Sequence, residues 1–302
     1  MTEPHSLPVL NRIIVQDKSD LGKLALTGPE AKAFLDGQVS NAILELEPGR
    51  GMEAALLTPK GKLLALVRVL DLGDELHLTT ERTTLQALFD RLRTGLIGWQ
   101  VELHKRTLQQ GLVAVAGPGA RELVGAPEEL HAHADGPFGR AIATVEGAEV
   151  LVPAEATGEV LARLREAGAA PADPEALEVA RVERGDPRWG VDVDDGTIPQ
   201  EAGLNDRVVS FTKACYVGQE TVARLRWKGR PNRHLRGLRL TEPVAAGTPV
   251  VHEGREVGAV SSPVVSPRFG PIALAMLRRE AEPGDVVRAG NVEATVVELP
   301  FA

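Results

Sequence analysis

The sequence predicts an α+β chain: two related α+β subdomains followed by a small C-terminal β-barrel. Three observations predict it. Leu24 to Gly37 reads L-A-L-T-G-P-E-A-K-A-F-L-D-G and Val113 to Ala126 reads V-A-V-A-G-P-G-A-R-E-L-V-G-A, an internal echo of one strand-turn-helix unit. Beyond about Arg226, helical periodicity gives way to short alternating segments separated by glycine turns. Finally, 302 residues exceed an ordinary domain of about 150, while a hydrophobic content of 43% suffices for two or three smaller cores.

Each copy of the echo runs a short strand into Gly-Pro, where the glycine turns the chain and the proline suits the first turn of a helix. After the first copy, Glu53 to Thr58, Lys62 to Leu70 and Glu75 to Thr80 read as strands, and Leu85, Leu88, Phe89 and Leu92 share one face of a following helix. After the second, Ala141 to Val145 and Glu149 to Val152 flank Glu146-Gly147-Ala148 as a hairpin, and Gly158 to Ala167 repeats apolar residues at Val160, Leu161 and Leu164. Asp173-Pro174-Glu175 starts another helix, with an N-cap acid, a proline at the first position and an acid in the first turn; Gly185 ends it. That helix carries Arg181 and Glu183 to its C-terminal end. A carboxylate there faces the negative pole of the helix at a cost of about 0.3–1 kcal/mol, a placement that points to use elsewhere. In the barrel region Leu235 to Leu240 and Asn291 to Leu299 alternate, Val250 to His252 and Arg255 to Val260 flank Glu253-Gly254, and Ile272 to Leu277 is continuously apolar. The expected organisation is a body over 1–225, its two subdomains interleaved or consecutive, and a barrel over 226–302.

Composition excludes several classes. The longest apolar stretches, Leu63 to Leu70 and Ile272 to Leu277, fall far short of the roughly 20 residues of a membrane span. Met1 to Leu10 lacks a basic n-region and an apolar h-region, so a cytoplasmic protein without membrane contact is expected. Cys215 is the single cysteine; it cannot close an intramolecular disulfide or supply a four-thiolate metal site by itself. A net charge of −8 argues against a nucleic-acid or anionic-membrane platform over the whole surface. One local exception is the acid-free run Arg224, Arg226, Lys228, Arg230, Arg233, Arg236 and Arg239, which is either a solvated linker or an anion site. His131-x-His133 lacks a third ligand and reads as surface. Gly117-Pro118-Gly119 fails the dinucleotide spacing, and Asp192-x-Asp194-Asp195-Gly196 lacks the downstream glutamate of a calcium loop.

Two segments carry a family resemblance. Lys213 to Glu220 reads K-A-C-Y-V-G-Q-E and continues Thr221-Val222-Ala223-Arg224; it resembles the K-G-C-Y-x-G-Q-E signature of YgfZ-type folate-binding proteins, also carried by mitochondrial iron–sulfur assembly relatives. Ala214 stands where that signature has glycine. Arg181 to Asp192 together with Ile198 to Leu204 is similar to the R-x-E-x-G-x-P-x-x-G-x-D and P-x-E motifs that YgfZ proteins share with the aminomethyltransferase of glycine cleavage. Val257 to Ser262 resembles a G-x-v-t-S element of the barrel, so the likeness runs from about Leu24 to the final strands.

The resemblance implies three domains around a central channel in which folate sits. Glu183 matches the glutamate that holds the pterin ring, and one carboxylate can accept the two adjacent N–H donors of a pterin; the competing reading is a helix-end glutamate paired with a neighbouring arginine. Trp189 either packs on the bound ring or fills the core, and Arg181 and Glu201 rank as supporting charges. Lys213, Tyr216, Gly218, Gln219 and Glu220 frame Cys215. A thiol beside Lys213 and the basic run is expected to gain thiolate character, unless it is a small buried hydrophobe.

The aminomethyltransferase has an aspartate in the segment that corresponds to Pro59 to Val67, and this chain has no acid between Glu53 and Asp71. A working aminomethyltransferase is therefore not expected. The resemblance implies instead an accessory protein that binds tetrahydrofolate or a derivative and serves the assembly or repair of iron–sulfur enzymes, including radical enzymes that modify tRNA. Iron or an iron–sulfur cluster held transiently, client enzymes or assembly proteins, and a weak tRNA contact belong to that expectation. The alternatives are a folate-dependent one-carbon transferase and a folate-sensing binding or regulatory module.

Overall fold

The computed structural model describes residues 11–302, so Met1 to Leu10, on which the expectation of no leader rests, lies outside the described residues. The chain divides into two compact units: 11–59, 64–172 and 207–217 in the first, and 60–63, 173–206 and 218–302 in the second.

The first unit contains β1 (Ile14–Asp17), β2 (Gly22–Thr27), α1 (Ala31–Gln38), β3 (Gly51–Leu57), β4 (Leu63–Asp71), β5 (Leu76–Thr80), α2 (Leu85–Gly95) and β6 (Glu102–Lys105). It continues through β7 (Gln110–Ala116), α3 (Ala120–Val124), β8 (His133–Gly136), β9 (Gly139–Thr144), β10 (Gly147–Pro153), α4 (Thr157–Glu166) and β11 (Ala170–Pro171). Two sheets result, a five-stranded one in the order β3-β4-β5-β2-β6 and a six-stranded one in the order β11-β1-β7-β10-β9-β8. With β2 matched to β7, the place that β6 holds beside β2 is held beside β7 by β1. The N-terminal strand thus completes the second sheet, and the subdomains are interleaved. The echo survives at its glycines. Gly28 and Gly117 have φ of +106° and +110°, and a Cβ on either would lie 2.4 Å from a backbone oxygen, that of Gln100 or of Arg12. Each oxygen belongs to the approach to the neighbouring strand, so any side chain would push that strand away.

Each sheet covers one face with its helices. Leu24, Leu26, Phe34, Leu78, Leu88 and Leu92 form the core of the first copy, and Val113, Val115, Val124, Val150 and Leu164 that of the second. The opposite faces meet through a smaller cluster of Leu70, Leu112, Ile142 and Leu151 and through buried charge. Arg68 pairs with Glu149, and Lys18 lies 3.4 Å from the same carboxyl group. Burial pushes the Glu149 carboxyl up, but the two cations outweigh it and hold it at about 2. His77 and His133 are buried there, and neither ring nitrogen of His77 has a hydrogen-bond partner among the described residues. The surface reading of His131-x-His133 is corrected: the register of His133 opposite Ile142 puts it on the inward face of β8, and His131 is half-buried, its pKa lowered by burial to about 4.

The second unit holds α5 (Pro174–Arg184), α7 (Gln219–Lys228) and six strands: β12 (Arg233–Leu240), β13 (Pro249–His252), β14 (Arg255–Ser266), β15 (Gly270–Arg278), β16 (Val286–Ala289) and β17 (Val292–Val297). A short α6 (Asn205–Val208) lies where the chain passes between units. The strands close a barrel in the order β12-β15-β14-β13-β16-β17. The continuous apolar run of β15 has a simple cause. Ala273, Ala275 and Leu277 fill the barrel, while Ile272 and Leu274 pack outside it against Val182 of α5. Helix α5 starts as its sequence dictates, Asp173 accepting from the Glu175 N–H at 3.0 Å, and stops at Gly185, whose φ is +71°.

Candidate functional site

Glu183 lies in the last turn of α5 yet is only 5% exposed. The Ser266 hydroxyl donates to its Oε1 at 2.5 Å and accepts from the backbone N–H groups of Arg268 and Phe269, both at 3.0 Å. On the other side the Arg268 guanidinium is 4.0 Å from Oε2. The glutamate is therefore held as an acceptor at the end of β14, with lone pairs left for a ligand edge that presents two N–H donors. A pterin presents such an edge, so the donor set fits it. Ser266 was not found from the sequence; its only signal is the Ser266-Pro267 turn.

Arg181 is used up inside the protein. Nε and Nη2 donate to the two oxygens of Glu178, at 3.0 and 2.7 Å, and Nη2 also reaches Ser262 at 2.7 Å. Nη1 donates to the Asp186 carbonyl at 2.5 Å and to Asp192 at 2.7 Å. All of its N–H donors are thereby engaged within the protein, which leaves none for a ligand. Asp192 also accepts from the hydroxyls of Ser261 and Ser262, at 2.5 and 2.8 Å. Consecutive strand residues point to opposite faces; here a bulge between Val260 and Ser262 lets both serines reach one carboxylate. Glu201 is paired with Arg233, at 3.1 and 3.0 Å, and Trp189 is half-buried beside Val193.

The signature segment divides between the units at Val217 and Gly218. The Lys213 side chain is 3% exposed, and its ammonium donates to the carbonyls of Asp36, Val39 and Asn41, the last two at 3.1 and 2.8 Å, while pairing with the Asp36 carboxylate at 3.1 Å. Burial lowers its pKa, and Asp36 opposes that shift. The charge expected to favour a Cys215 thiolate is thus committed to the end of α1. Cys215 itself is exposed, which removes the reading of a buried hydrophobe. Tyr216 is buried beneath the ammonium, 5.6 Å from ring centroid to Nζ, and burial pushes its hydroxyl up to about 12. Gly218, at φ +90°, caps α7, whose first turn carries Gln219 and an exposed Glu220. Ala214 avoids the left-handed region, so the departure from glycine costs no strain.

The segment without acids is the β3–β4 hairpin, where Ala54, Leu56, Leu57, Leu63, Ala65, Val67 and Val69 are all buried. Asp71, where acids resume, is paired with Lys32 at 2.6 Å. The basic run is acid-free in sequence but not in space: Arg233 meets Glu201, Arg236 meets Glu298 at 2.6 Å, and Arg224 meets Glu220 at 3.5 Å. Among the described residues no group of three or more His, Cys, Asp or Glu could hold a metal ion, so the expected transient iron or cluster finds no ligand set. No described helix is long and apolar enough to cross a membrane.

Residues 5–152 match the GCVT N-terminal domain, and residues 233–302 match the glycine cleavage T-protein C-terminal barrel domain. An aminomethyltransferase of Rubrobacter xylanophilus is 30% identical over 94% of this chain and 82% of that protein. A chloroplastic protein of Arabidopsis thaliana, named as a transferase, is 27% identical over 96% of this chain and 72% of its own length. The crystal structure of glycine cleavage system aminomethyltransferase T from Bartonella henselae shares the fold, with a TM-score of 0.85 at 24% identity over 97% of this chain and 87% of that one. Interleaved subdomains, a six-stranded barrel and the matches at both ends agree: the chain belongs to the glycine cleavage T-protein family.

Proposed function

We propose that this member of the family binds tetrahydrofolate or a derivative through Glu183 and acts as an accessory protein in the assembly or repair of iron–sulfur enzymes, without transferring aminomethyl groups. One observation carries the reading: the acceptor Glu183 is kept while the β3–β4 hairpin holds no acid between Glu53 and Asp71. Loss of a positioned acid–base group costs about 10²–10⁴ in rate, so binding survives where turnover does not. When bound, tetrahydrofolate supplies a carrier for one-carbon units. The chain's part is to accept the pterin donors on Glu183 and to present Cys215 on a loop fastened by Lys213. The YgfZ-like signature around that exposed cysteine supports the iron–sulfur role. Client enzymes, and a tRNA contact near the exposed Trp227 with Arg224 and Arg230, belong to the same proposal.

A second reading, a one-carbon transferase, is favoured by the activity named for the Rubrobacter relative. The test compares cells that lack the protein and carry wild type or Cys215→Ser. Wild type should restore iron–sulfur enzyme activity under oxidative load; Cys215→Ser should fail while its purified form keeps its folate affinity. Full recovery with Cys215→Ser would favour a folate-sensing module. Formation of methylenetetrahydrofolate from an aminomethyl-loaded lipoyl carrier at an enzymatic rate would establish the transferase.

A further inference from the structure

We propose that Ser266 is a positioning residue for Glu183 and makes the site selective for a ligand edge with two N–H donors side by side, as in a 2-aminopyrimidinone ring; this rests on the folate reading above. Ser266 is 3% exposed at the end of β14, and its hydroxyl makes three hydrogen bonds of fixed sense. Two backbone N–H groups occupy its lone pairs, so its one proton can go only to Oε1 of Glu183. That proton does two things. It pins the carboxylate against the pull of Arg268, whose guanidinium is 4.0 Å from Oε2 and 45% exposed. It also commits the carboxylate to acceptance, so a ligand with a carbonyl at that edge meets lone pairs with lone pairs. Without the hydroxyl the carboxylate is free to turn toward Arg268 and away from the ligand.

The test is calorimetric titration of the full chain with tetrahydrofolate and with its 2-desamino analogue, using wild type, Ser266→Ala, Ser266→Thr, Glu183→Gln and the Glu183→Gln/Ser266→Ala double variant. Ser266→Ala should weaken tetrahydrofolate about tenfold and narrow the gap between the two ligands, Ser266→Thr should restore both, and Ser266→Ala should add nothing to Glu183→Gln. A merely structural serine would weaken both ligands alike and leave the gap unchanged. Should Ser266→Ala fail to fold, Ser266→Cys, similar in size with a weak donor, replaces it and should show the same loss. Wild-type affinity in Ser266→Ala or Ser266→Cys, or an additive loss in the double variant, overturns the proposal. Absence of tetrahydrofolate binding by wild type overturns the folate reading and this proposal with it.

Discussion

The two copies of the strand-turn-helix unit finish their helices differently. In the second copy α3 closes on Gly125, at φ +73°, whose N–H returns to the carbonyls of Arg121 and Glu122. In the first, α1 leaves through Val39 in extended conformation, with no basic residue in its last turn. Its end is closed instead by Lys213, 177 residues beyond Asp36. The difference teaches what the signature lysine does. It supplies the positive charge that a helix C-terminus favours, and in doing so it ties the loop bearing Cys215 into the first unit. Ser210 N–H to the Ser40 carbonyl, at 2.9 Å, and the Ser40 hydroxyl to the Val208 carbonyl, at 2.5 Å, extend the same seam.

The comparison breaks most visibly at Lys213. Lys213→Met keeps the stem but strands the Asp36 carboxylate, which is 7% exposed, and should cost about 3–5 kcal/mol in denaturant unfolding. Gly125→Ala, which only forces a side chain into the left-handed region, should cost about 1–2 kcal/mol. Equal costs would mean that Lys213 does no more than an ordinary cap.

Where the two copies meet, buried histidines and charges stand beside a small apolar cluster, in contrast to the larger apolar cores under the helices. Burial is the largest cause that holds His77 down at about 3 rather than 6.5, with Arg68 and Lys23 adding repulsion; His133 is lowered by burial as well. Unfolded His77 takes up its proton below pH 6.5 and the folded form does not, so its contribution is present above that pH and drains as pH falls toward 3. By pH 5 the loss from His77 alone should be about 2 kcal/mol. Unfolding free energies of wild type and His77→Leu between pH 7 and 5 check this: the variant should show the shallower slope, and parallel slopes would contradict the burial argument.

How much was legible follows the range of the interactions. Helix α5 was readable at both ends because Asp173, Pro174 and Gly185 act on their immediate neighbours, and the hairpin around Gly147 was readable from alternation on either side. The exchange of β1 into the second sheet has no local signal, since its partner Val113–Ala116 lies far along the chain. β16 escaped because its four residues alternate too briefly. At the candidate site, Glu183 stands out in the sequence through its motif and its awkward place at a helix end. Ser266 does not, because a serine's worth there depends on which carboxylate the fold brings to it. Lys213 was found but misread: spacing put it beside Cys215, and only the fold shows that its ammonium turns to α1.

The central claim, that a folate-binding carboxylate has outlasted the transfer chemistry, meets its most direct test in calorimetric titration of wild type and Glu183→Gln with tetrahydrofolate. In the variant the Ser266 proton would claim the amide oxygen, leaving the amide NH₂ to face the ligand's own donors. Wild type should bind, and the variant should lose about 1.5–3 kcal/mol, at least roughly tenfold in affinity. Equal affinities would take Glu183 out of the site and contradict the account.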